Sequence, residues 1–309
     1  MGPMSTGPTA PIALEYSIAD VFTDTALAGN PVAVVTDSIG LPTERMQAIA
    51  REFNLSETTF VQRRPAAVEK AEGVRVRIFT TKEELPFAGH PTLGTASVLK
   101  INAPETVLGD TITLGLNVGP VPVRFENQAS KSAALFGEMT QRDPEFCAEL
   151  DSATVAHLIG LNLSDLDPTL PPQVVSTGTA FAIVPLRSAE ALGRLDVKQR
   201  EATEWLRVRG ARWFFVLGPT GEKAPAFRAR MQFNGGEDPA TGSAAGCAIS
   251  YLVARGAVVS GERVLLRQGV EIGRSSDLFL SAKICSSKVC DVRVAGSTIL
   301  VAKGQFFLP

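Results

Sequence analysis

The chain has 309 residues, above the roughly 250–300 at which a single hydrophobic core stops growing, so we expect two domains. Its 30 Lys and Arg against 32 Asp and Glu give a net charge of −2, which leaves no basic excess for nucleic acid. With 45% hydrophobic residues, no apolar stretch of about 18 residues and no run of like charge, the composition argues against disorder and against a membrane partner.

The cysteines and the N-terminus bear on the cellular compartment. A C-x4-C pair without a second Cys or His pair nearby argues against a zinc site, and we expect four free thiols: Cys147, Cys247, Cys285 and Cys290. Residues 1–11 carry neither the basic nor the apolar region of a signal peptide. We expect a cytoplasmic protein with a flexible leader, and the sequence leaves open whether that leader is native or ordered.

Predicted strands and helices alternate along the first part of the chain. Alternation of apolar residues predicts strands at residues 16–22, 32–35, 58–62, 74–79, 111–116 and 121–125. Apolar residues at helical spacing predict a helix at 43–53, and a second helix is predicted from about 92 to 100 after a Gly/Pro turn.

The polar stretch 127–132 is the predicted domain boundary, and a similar pattern follows it. We predict a helix at 151–159, a pair of strands within 174–184, and a hairpin formed by 213–217 and 226–233.

A weak internal repeat links the two parts. Residues 89–92 (GHPT) and 238–241 (DPAT), which are 238 − 89 = 149 positions apart, each precede a predicted helix of small residues. A repeat of this period favours two domains of one design, although two such short matches also fit a chance similarity.

These two turns have the features of an anion-binding site. A tight turn leading into a helix leaves backbone N–H groups unpaired at the positive end of the helix dipole. Small residues there, such as Gly89 and Gly242, let a ligand approach the backbone closely. The alternative is that Thr92 and Thr241 are ordinary N-caps of buried helices.

Several residues near the turns can carry protons. His90 lies in the first turn, Glu237 and Asp238 begin the second, and Glu57 enters a predicted strand between apolar residues. Each also has a structural interpretation, since a Glu at a strand entrance is often a solvated edge group and a lone His is often a hydrogen-bonded turn residue. His157 lies in an amphipathic segment, and we interpret it as structural.

Taken together, these segments resemble the phenazine biosynthesis PhzF-like family, which shares its fold with diaminopimelate epimerase and proline racemase. The resemblance covers about residues 16 to 275. It rests on six motifs in family order: DVFTDTALAGNPVAVV (20–35), NLSETTFV (54–61), IFTTKEELPFAGHPTLGTA (78–96), VSTGTAFAIVP (175–185), EDPATGSAAGCAISYL (237–252) and RQGVEIGR (267–274).

The resemblance implies an α+β fold of two similar domains, each a curved, mostly antiparallel sheet wrapped around a central helix. The N-terminal domain would cover 12–128 together with 296–309, and the C-terminal domain would cover 129–295. It implies that Glu57 is the general acid/base, with His90 and Asp238 as further catalytic residues. It also implies that three positions cradle the substrate carboxylate: Gly89, Gly242 and Ser243.

The implied activity is that of a cofactor-independent, homodimeric isomerase that moves a proton between carbons of a small carboxylate. The family's archetypal reaction is the isomerisation of trans-2,3-dihydro-3-hydroxyanthranilate. No metal or other cofactor is expected. The alternatives are an epimerase or lyase acting on an amino-acid derivative in the same cleft, or a non-catalytic binding protein. Related epimerases use two thiols as bases, and neither turn here contains a Cys, which disfavours that mechanism.

Two details stay open. FTTK (79–82) stands where the family pattern leads us to expect a Pro-containing turn, a departure that bears on substrate choice more than on chemistry. Gln268 and Arg274 either line the cleft or only stabilise the turn between them.

Overall fold

The computed structural model describes residues 12–102, 110–126, 133–221 and 226–308. The predicted leader, the predicted boundary at 127–132 and part of the turn of the predicted hairpin lie outside the described residues. Within the described ranges there is no helix with both the length and the apolar character needed to cross a membrane.

Strands dominate the structure. Those of the first part are β1 (Ile12–Val21), β2 (Asn30–Val35), β3 (Glu57–Gln62), β4 (Val74–Phe79), β5 (Glu84–Leu85), β6 (Thr111–Leu116), β7 (Gly119–Phe125) and β8 (Leu135–Thr140). The remainder are β9 (Glu145–Glu149), β10 (Gln173–Ser176), β11 (Ala180–Pro185), β12 (Trp213–Pro219), β13 (Ala226–Arg230), β14 (Gln232–Phe233), β15 (Gly236–Glu237), β16 (Val264–Gln268), β17 (Ser276–Cys285) and β18 (Lys288–Leu308).

The α-helices are α1 (Thr43–Phe53), α2 (Ala66–Glu72), α3 (Gly89–Asn102), α4 (Ser152–Leu158), α5 (Gln199–Arg207) and α6 (Gly242–Ala254). Two short 3₁₀ helices, Leu163–Asp165 and Ala189–Arg194, lie between α4 and α5.

Sixteen of these strands form one sheet, in which β18 occupies the central position. The order is β1-β2-β3-β4-β6-β7-β8-β18-β17-β16-β13-β12-β11-β10-β9, with β5 beside β4 and a further pairing of β1 with β18. Because β18 pairs with both β8 and β1, the seven strands β1–β4 and β6–β8 close with it into a ring. The strands from β17 to β9 extend from the other side of β18.

Helices α3 and α6 occupy the interior. Every residue of α3 from Gly89 to Leu99, and every residue of α6 from Gly242 to Val253, is buried. A helix that is apolar or small on all sides has no face for water, so it is covered all round. Helix α3 packs against β1, β2 and β8, whereas α6 packs against β17, β18 and β11. The fold is α+β, and its division into two similar domains stays a prediction.

The start of α3 corrects two expectations. The helix begins at Gly89 rather than near Thr92, so GHPT forms its first turn instead of preceding it. The two helix starts are therefore 242 − 89 = 153 residues apart, whereas the motifs GHPT and DPAT begin 149 residues apart. The N-cap interpretation is also wrong for Thr92, which lies inside α3 and donates from Oγ1 to the carbonyl of Ala88. Thr241 does occupy the N-cap position of α6, although its side chain caps no N–H.

The expectation of four free thiols is wrong for two of them. Cys285 and Cys290 form a disulfide across the β17–β18 hairpin, with their Cα atoms 6.0 Å apart, a spacing ordinary for a disulfide. The C-x4-C spacing matches a tight antiparallel turn, which brings the two side chains together. Cys147 is exposed and Cys247 is buried, and both are free.

Candidate active site

A cavity of about 590 Å³ lies where the starts of α3 and α6 meet. All six residues proposed for the site line it: Glu57, Gly89, His90, Asp238, Gly242 and Ser243. Glu57 is the first residue of β3, while the others lie at or just before the two helix starts. The sheet thus brings together residues from distant parts of the chain.

The two helix starts are in direct backbone contact. A Cβ atom on Gly89 would lie 2.9 Å from the Cα atom of Gly242 and from the backbone nitrogen of Ser243. Real Cβ atoms do not approach so closely, so only glycine allows the helices to meet here. The unpaired N–H groups of both first turns are therefore adjacent, an arrangement that suits a carboxylate.

A chain of polar side chains joins three of the proton-carrying residues. His90 Nε2 lies 3.3 Å from Glu57 Oε2, and its Nδ1 lies 3.1 Å from Asn30 Nδ2. The same Asn30 amide donates to Asp238 Oδ1 at 2.7 Å and to the carbonyl of Ala240 at 2.9 Å. Asn30 is fully buried, and the sequence analysis missed it, although it lies in the first quoted motif.

A second set of hydrogen bonds holds Asp238. Thr241 Oγ1 donates to Asp238 Oδ2 at 2.7 Å, and Gln268 Nε2 donates to the Asp238 carbonyl at 2.8 Å. Gln268 also accepts from the Thr241 backbone N–H at 3.0 Å. Gln268 thus acts behind the cavity wall and does not line the cavity.

Arg274 does not line the cavity either. Its guanidinium pairs with Asp20 at 2.7 Å and donates to the carbonyl of Gly29 at 2.8 Å. These contacts tie the turn after β16 to the loop that leads into β2, so Arg274 supports the segment that carries Asn30.

Burial shifts all three titratable groups away from their charged forms. It raises the pKa of Glu57 to about 8, with the negative charge of Asp238 adding to the rise and Arg212 opposing it. Burial raises the pKa of Asp238 to about 6, although hydrogen bonds from Thr241 and Asn30 lower it. The pKa of His90 falls to about 3 because the buried ring resists protonation. His90 is therefore neutral at neutral pH.

Two atoms at the centre of this arrangement are available to a ligand. Among the described residues, neither Glu57 Oε2 nor His90 Nε2 has a hydrogen-bond partner, although both are buried. Buried polar atoms are nearly always satisfied, so such a pair facing a cavity marks a place where a bound molecule supplies the partner. A carboxylic acid with a pKa near 8 can both donate and accept a proton there.

A second network, which the sequence analysis also missed, holds α6 from the opposite side. Gln141 Nε2 donates to the carbonyl of Gly242 at 2.8 Å, and Thr177 Oγ1 donates to Gln141 Oε1 at 2.7 Å. A Cβ atom on Gly246 would lie 2.0 Å from Gln141 Oε1, so this glycine makes room for the network. The first turn of α6 is thereby fixed in place.

Neither the remaining buried thiol nor the second histidine belongs to the cavity. Burial raises the pKa of Cys247 to about 11, and its Sγ contacts Thr177 instead of lining the cavity. His157 is exposed on α4 beside Lys198. Within the described part of the chain, no group of three or more His, Cys, Asp or Glu residues could hold a metal ion.

Comparisons with known proteins converge on one family. A profile of the phenazine biosynthesis-like protein (PhzC-PhzF) family matches residues 19–304. The trans-2,3-dihydro-3-hydroxyanthranilate isomerase of Pseudomonas aeruginosa is 35% identical, with 95% of this chain and 99% of that protein covered. A protein of Mesorhizobium japonicum named only as an isomerase is also 35% identical, with 95% and 98% covered.

Solved structures agree. A protein described as a predicted epimerase from Pseudomonas aeruginosa is 35% identical and superposes with a TM-score of 0.80, covering 95% of this chain and 99% of that one. A PhzF-family protein from Bacillus anthracis is 25% identical, with a TM-score of 0.82 and 96% and 99% covered. A probable proline racemase from Agrobacterium radiobacter, 10% identical with a TM-score of 0.63 and 95% and 92% covered, shares the fold.

Proposed function

The chain belongs to the phenazine biosynthesis-like protein family, and from this membership we propose that Glu57 is the general acid/base of a cofactor-independent proton shift. The chain is an isomerase of a small carboxylate, as its named relatives are. We take the reaction to be the movement of a proton between two carbons, as in the isomerisation of trans-2,3-dihydro-3-hydroxyanthranilate.

The observation that carries this proposal is the position of Glu57. Burial raises the pKa of its carboxyl group to about 8. Glu57 lies against His90 Nε2 and lines the cavity beside the adjoining starts of α3 and α6. A substrate carboxylate held on the backbone N–H groups of Gly89, Gly242 and Ser243 would present its neighbouring carbons to Glu57.

The proposed reaction uses Glu57 twice. The ionised carboxylate removes a proton from one carbon, and the electron pair of that C–H bond moves through the adjacent double bond. The protonated Glu57 then delivers the proton to the far carbon on the same face, so no net charge or electron leaves the substrate. Near pH 8 both protonation states of Glu57 are populated, which suits one group acting as base and acid.

His90 and Asp238 have supporting roles in this proposal. Neutral His90 places Nε2 3.3 Å from Glu57 Oε2, and its Nδ1 lies 3.1 Å from the Asn30 amide that donates to Asp238. These contacts hold the orientation of the His90 ring. We carry over as further proposals the homodimer, the cytoplasmic location and the two-domain division that the sequence suggests.

An epimerase or lyase in the same cleft is the competing proposal. The fold is shared with a hydroxyproline epimerase, at 11% identity and a TM-score of 0.60. The cavity has no Cys among its lining residues within the described chain, and therefore lacks the thiol bases of that mechanism. Product analysis separates the possibilities, because an epimerase yields the same acid with one stereocentre inverted and a lyase yields a smaller or dehydrated acid.

The test is turnover of trans-2,3-dihydro-3-hydroxyanthranilate in heavy water by the wild type and by Glu57→Gln. We expect isomerisation, with deuterium incorporated to the extent that the proton on Glu57 exchanges with solvent before it is delivered, and a loss of about 10²–10⁴-fold in the variant, the usual contribution of a general acid/base. Glu52→Gln, which changes an exposed carboxylate on α1, is the control. Full activity of Glu57→Gln would contradict the mechanism. A folded wild type that converts none of this acid would remove the substrate but not the cleft.

A further inference from the structure

The mouth of the cavity carries a cation that the proposed proton shift does not use. Arg212, which immediately precedes β12, lines the cavity with 45% of its side chain exposed. Its guanidinium carbon lies 4.3 Å from the centre of the Trp213 ring, which also lines the cavity. The positive charge of Arg212 lowers the pKa of Glu57, so its field reaches the proposed acid/base.

Arg212 pairs across the mouth with Glu83, which lies 129 residues earlier in the chain. Glu83 directly follows FTTK (79–82), where the sequence departs from the expected Pro-containing turn. Here Thr80 Oγ1 accepts from the backbone N–H groups of Lys82 at 3.1 Å and Glu83 at 3.0 Å. The turn is thus held by the Thr80 hydroxyl and does not depend on the Glu83 carboxylate.

The Glu83–Arg212 pair is weak enough to exchange. Both side chains are about half exposed, at 52% and 45%. Exposed ion pairs add little to stability, so a stronger carboxylate partner can displace Glu83 from Arg212. A guanidinium stacked on an aromatic ring keeps its donors in a fixed plane, which favours a bidentate contact with an incoming carboxylate.

The cavity lining offers an anion two sets of partners. One set is the backbone N–H groups at the starts of α3 and α6, and the other is the side chains of Arg212 and Lys82. The lining also carries four aromatic side chains: Phe87, Phe181, Trp213 and Phe233. The ionisable groups among the described lining residues are Glu57, Lys82, Glu83, His90, Arg212 and Asp238, and the only two cations in this set, Lys82 and Arg212, are both exposed.

We propose that Arg212 is a specificity-determining residue that selects a substrate with a second carboxylate, which replaces Glu83 as its partner. The first carboxylate occupies the two helix starts, a flat or cyclic body lies against the aromatic wall, and the second carboxylate reaches Arg212. This inference rests on the proposed function for the binding of the first carboxylate. It adds that an acid with a second carboxylate binds more tightly than an acid with only one, such as trans-2,3-dihydro-3-hydroxyanthranilate, and that Glu83 competes with the second carboxylate.

Binding of simple aromatic acids tests the proposal without requiring turnover. Benzoate and the benzene 1,3- and 1,4-dicarboxylates are titrated by calorimetry into the wild type, Arg212→Met and Glu83→Gln. We expect at least one dicarboxylate to bind more tightly than benzoate to the wild type. Arg212→Met should weaken that dicarboxylate about tenfold and leave benzoate within about twofold, the difference expected from one charge-assisted contact. Glu83→Gln should tighten it several-fold, because Arg212 loses its competitor.

Two matched variants control for the loss of an arginine and of an exposed ion pair. Arg209→Met removes a guanidinium that lies 3.8 Å from the Trp205 ring centre but outside the cavity lining. Glu149→Gln breaks the exposed pair with Arg255, also outside that lining. Neither should change the affinity for any of the three acids.

Arg212→Met and Glu83→Gln are expected to change the affinity for the dicarboxylate in opposite directions, and this difference decides the outcome. If Glu83–Arg212 were only a latch between the two sides of the cavity, Arg212→Met and Glu83→Gln would shift the affinity in the same direction. That result would overturn the proposal, as would dicarboxylates that bind the wild type no better than benzoate. A failed turnover assay together with opposite shifts would leave Arg212 assigned and remove only the proposed reaction.

Discussion

Glu57, His90 and Asp238 are held in an environment that opposes their charged forms, and this is the main physical cost of the site. Ionising a buried carboxyl group without a close cation is unfavourable, and Glu57 has only a neutral imidazole beside it. The burial of Glu57 therefore lowers the stability of the fold near and above neutral pH. A titratable residue in such an unfavourable environment is typical of a catalytic position.

The pKa of Glu57 leads to a stability prediction that does not depend on any substrate. The folded-state pKa of about 8 exceeds the ordinary value of 4.5, so between these values the folded protein binds more protons than the unfolded chain. The contribution of Glu57 to the free energy of unfolding therefore falls as the pH rises through this window. Glu57→Gln should match the wild type near pH 4.5 and become more stable than it by a few kcal/mol near pH 8.

Urea unfolding of both proteins between pH 4.5 and 9 measures this difference. The Glu52→Gln variant, altered at an exposed position of α1, shows what an amide replacement alone does. A stability difference between Glu57→Gln and the wild type that stays constant with pH would mean that the folded protein does not hold Glu57 as a neutral acid.

Helices α3 and α6 contribute to the site through their first turns. Because the two first turns lie close together, their unpaired N–H groups can bind the same anion. The approach depends on Gly89 and Gly242, and on the Gln141 side chain that fits beside Gly246. The short hydrogen bonds around Asp238 and Thr241 then define how the chain enters α6. Packing against β8 and β18 therefore controls the geometry that a ligand encounters.

Gly89→Ala tests the contact between these helices. Its methyl group would lie 2.9 Å from backbone atoms of Gly242 and Ser243, so the helices must move apart. We expect a loss of about 1–3 kcal/mol in stability, as for other overpacked sites, together with loss of benzoate binding. Urea unfolding and calorimetry measure the two effects. Gly193→Ala, which adds a methyl group where no atom lies within 4 Å, is the matched control. Unchanged benzoate affinity in Gly89→Ala would show that the helix starts do not hold the carboxylate.

The whole molecule is joined by β18, a strand of 21 residues that pairs with β1, β8 and β17. Because one strand completes the ring around α3 and also begins the sheet beside α6, neither side can lose it without exposing its core. The cavity lies between these two sides and depends on their remaining together.

We therefore predict that the protein unfolds in one cooperative transition. A Cβ atom on Gly296, in the middle of β18, would lie 2.5 Å from the Phe22 ring, so Gly296→Ala should destabilise the protein by about 1–3 kcal/mol. Tryptophan fluorescence reports Trp205 and Trp213, both after β9, whereas far-UV circular dichroism reports all strands. The two midpoints should coincide in the wild type and shift together in Gly296→Ala. Separate transitions would show that the two sides of the sheet unfold independently.

Many elements could be predicted from the sequence because their patterns are local. The predicted helix 43–53 and the predicted strands 74–79 and 111–116 have the bounds of α1, β4 and β6. Helix α2 was missed because it is seven residues long and buries none of them, so it has no apolar pattern. Helix α5 was missed because only Ala202 and Leu206 are buried among its polar residues.

The motifs of the sequence were enough to identify the family and to select six residues that the structure brings to one cavity. The links between them were decided only by the tertiary structure. Asn30 reaches Asp238 across 208 residues, and Arg212 reaches Glu83 across 129. Burial and hydrogen-bond partners depend on which distant segments the sheet places side by side, so no local pattern contains them. For the same reason, the pKa of Glu57 and the charge at the mouth of the cavity are properties of the fold.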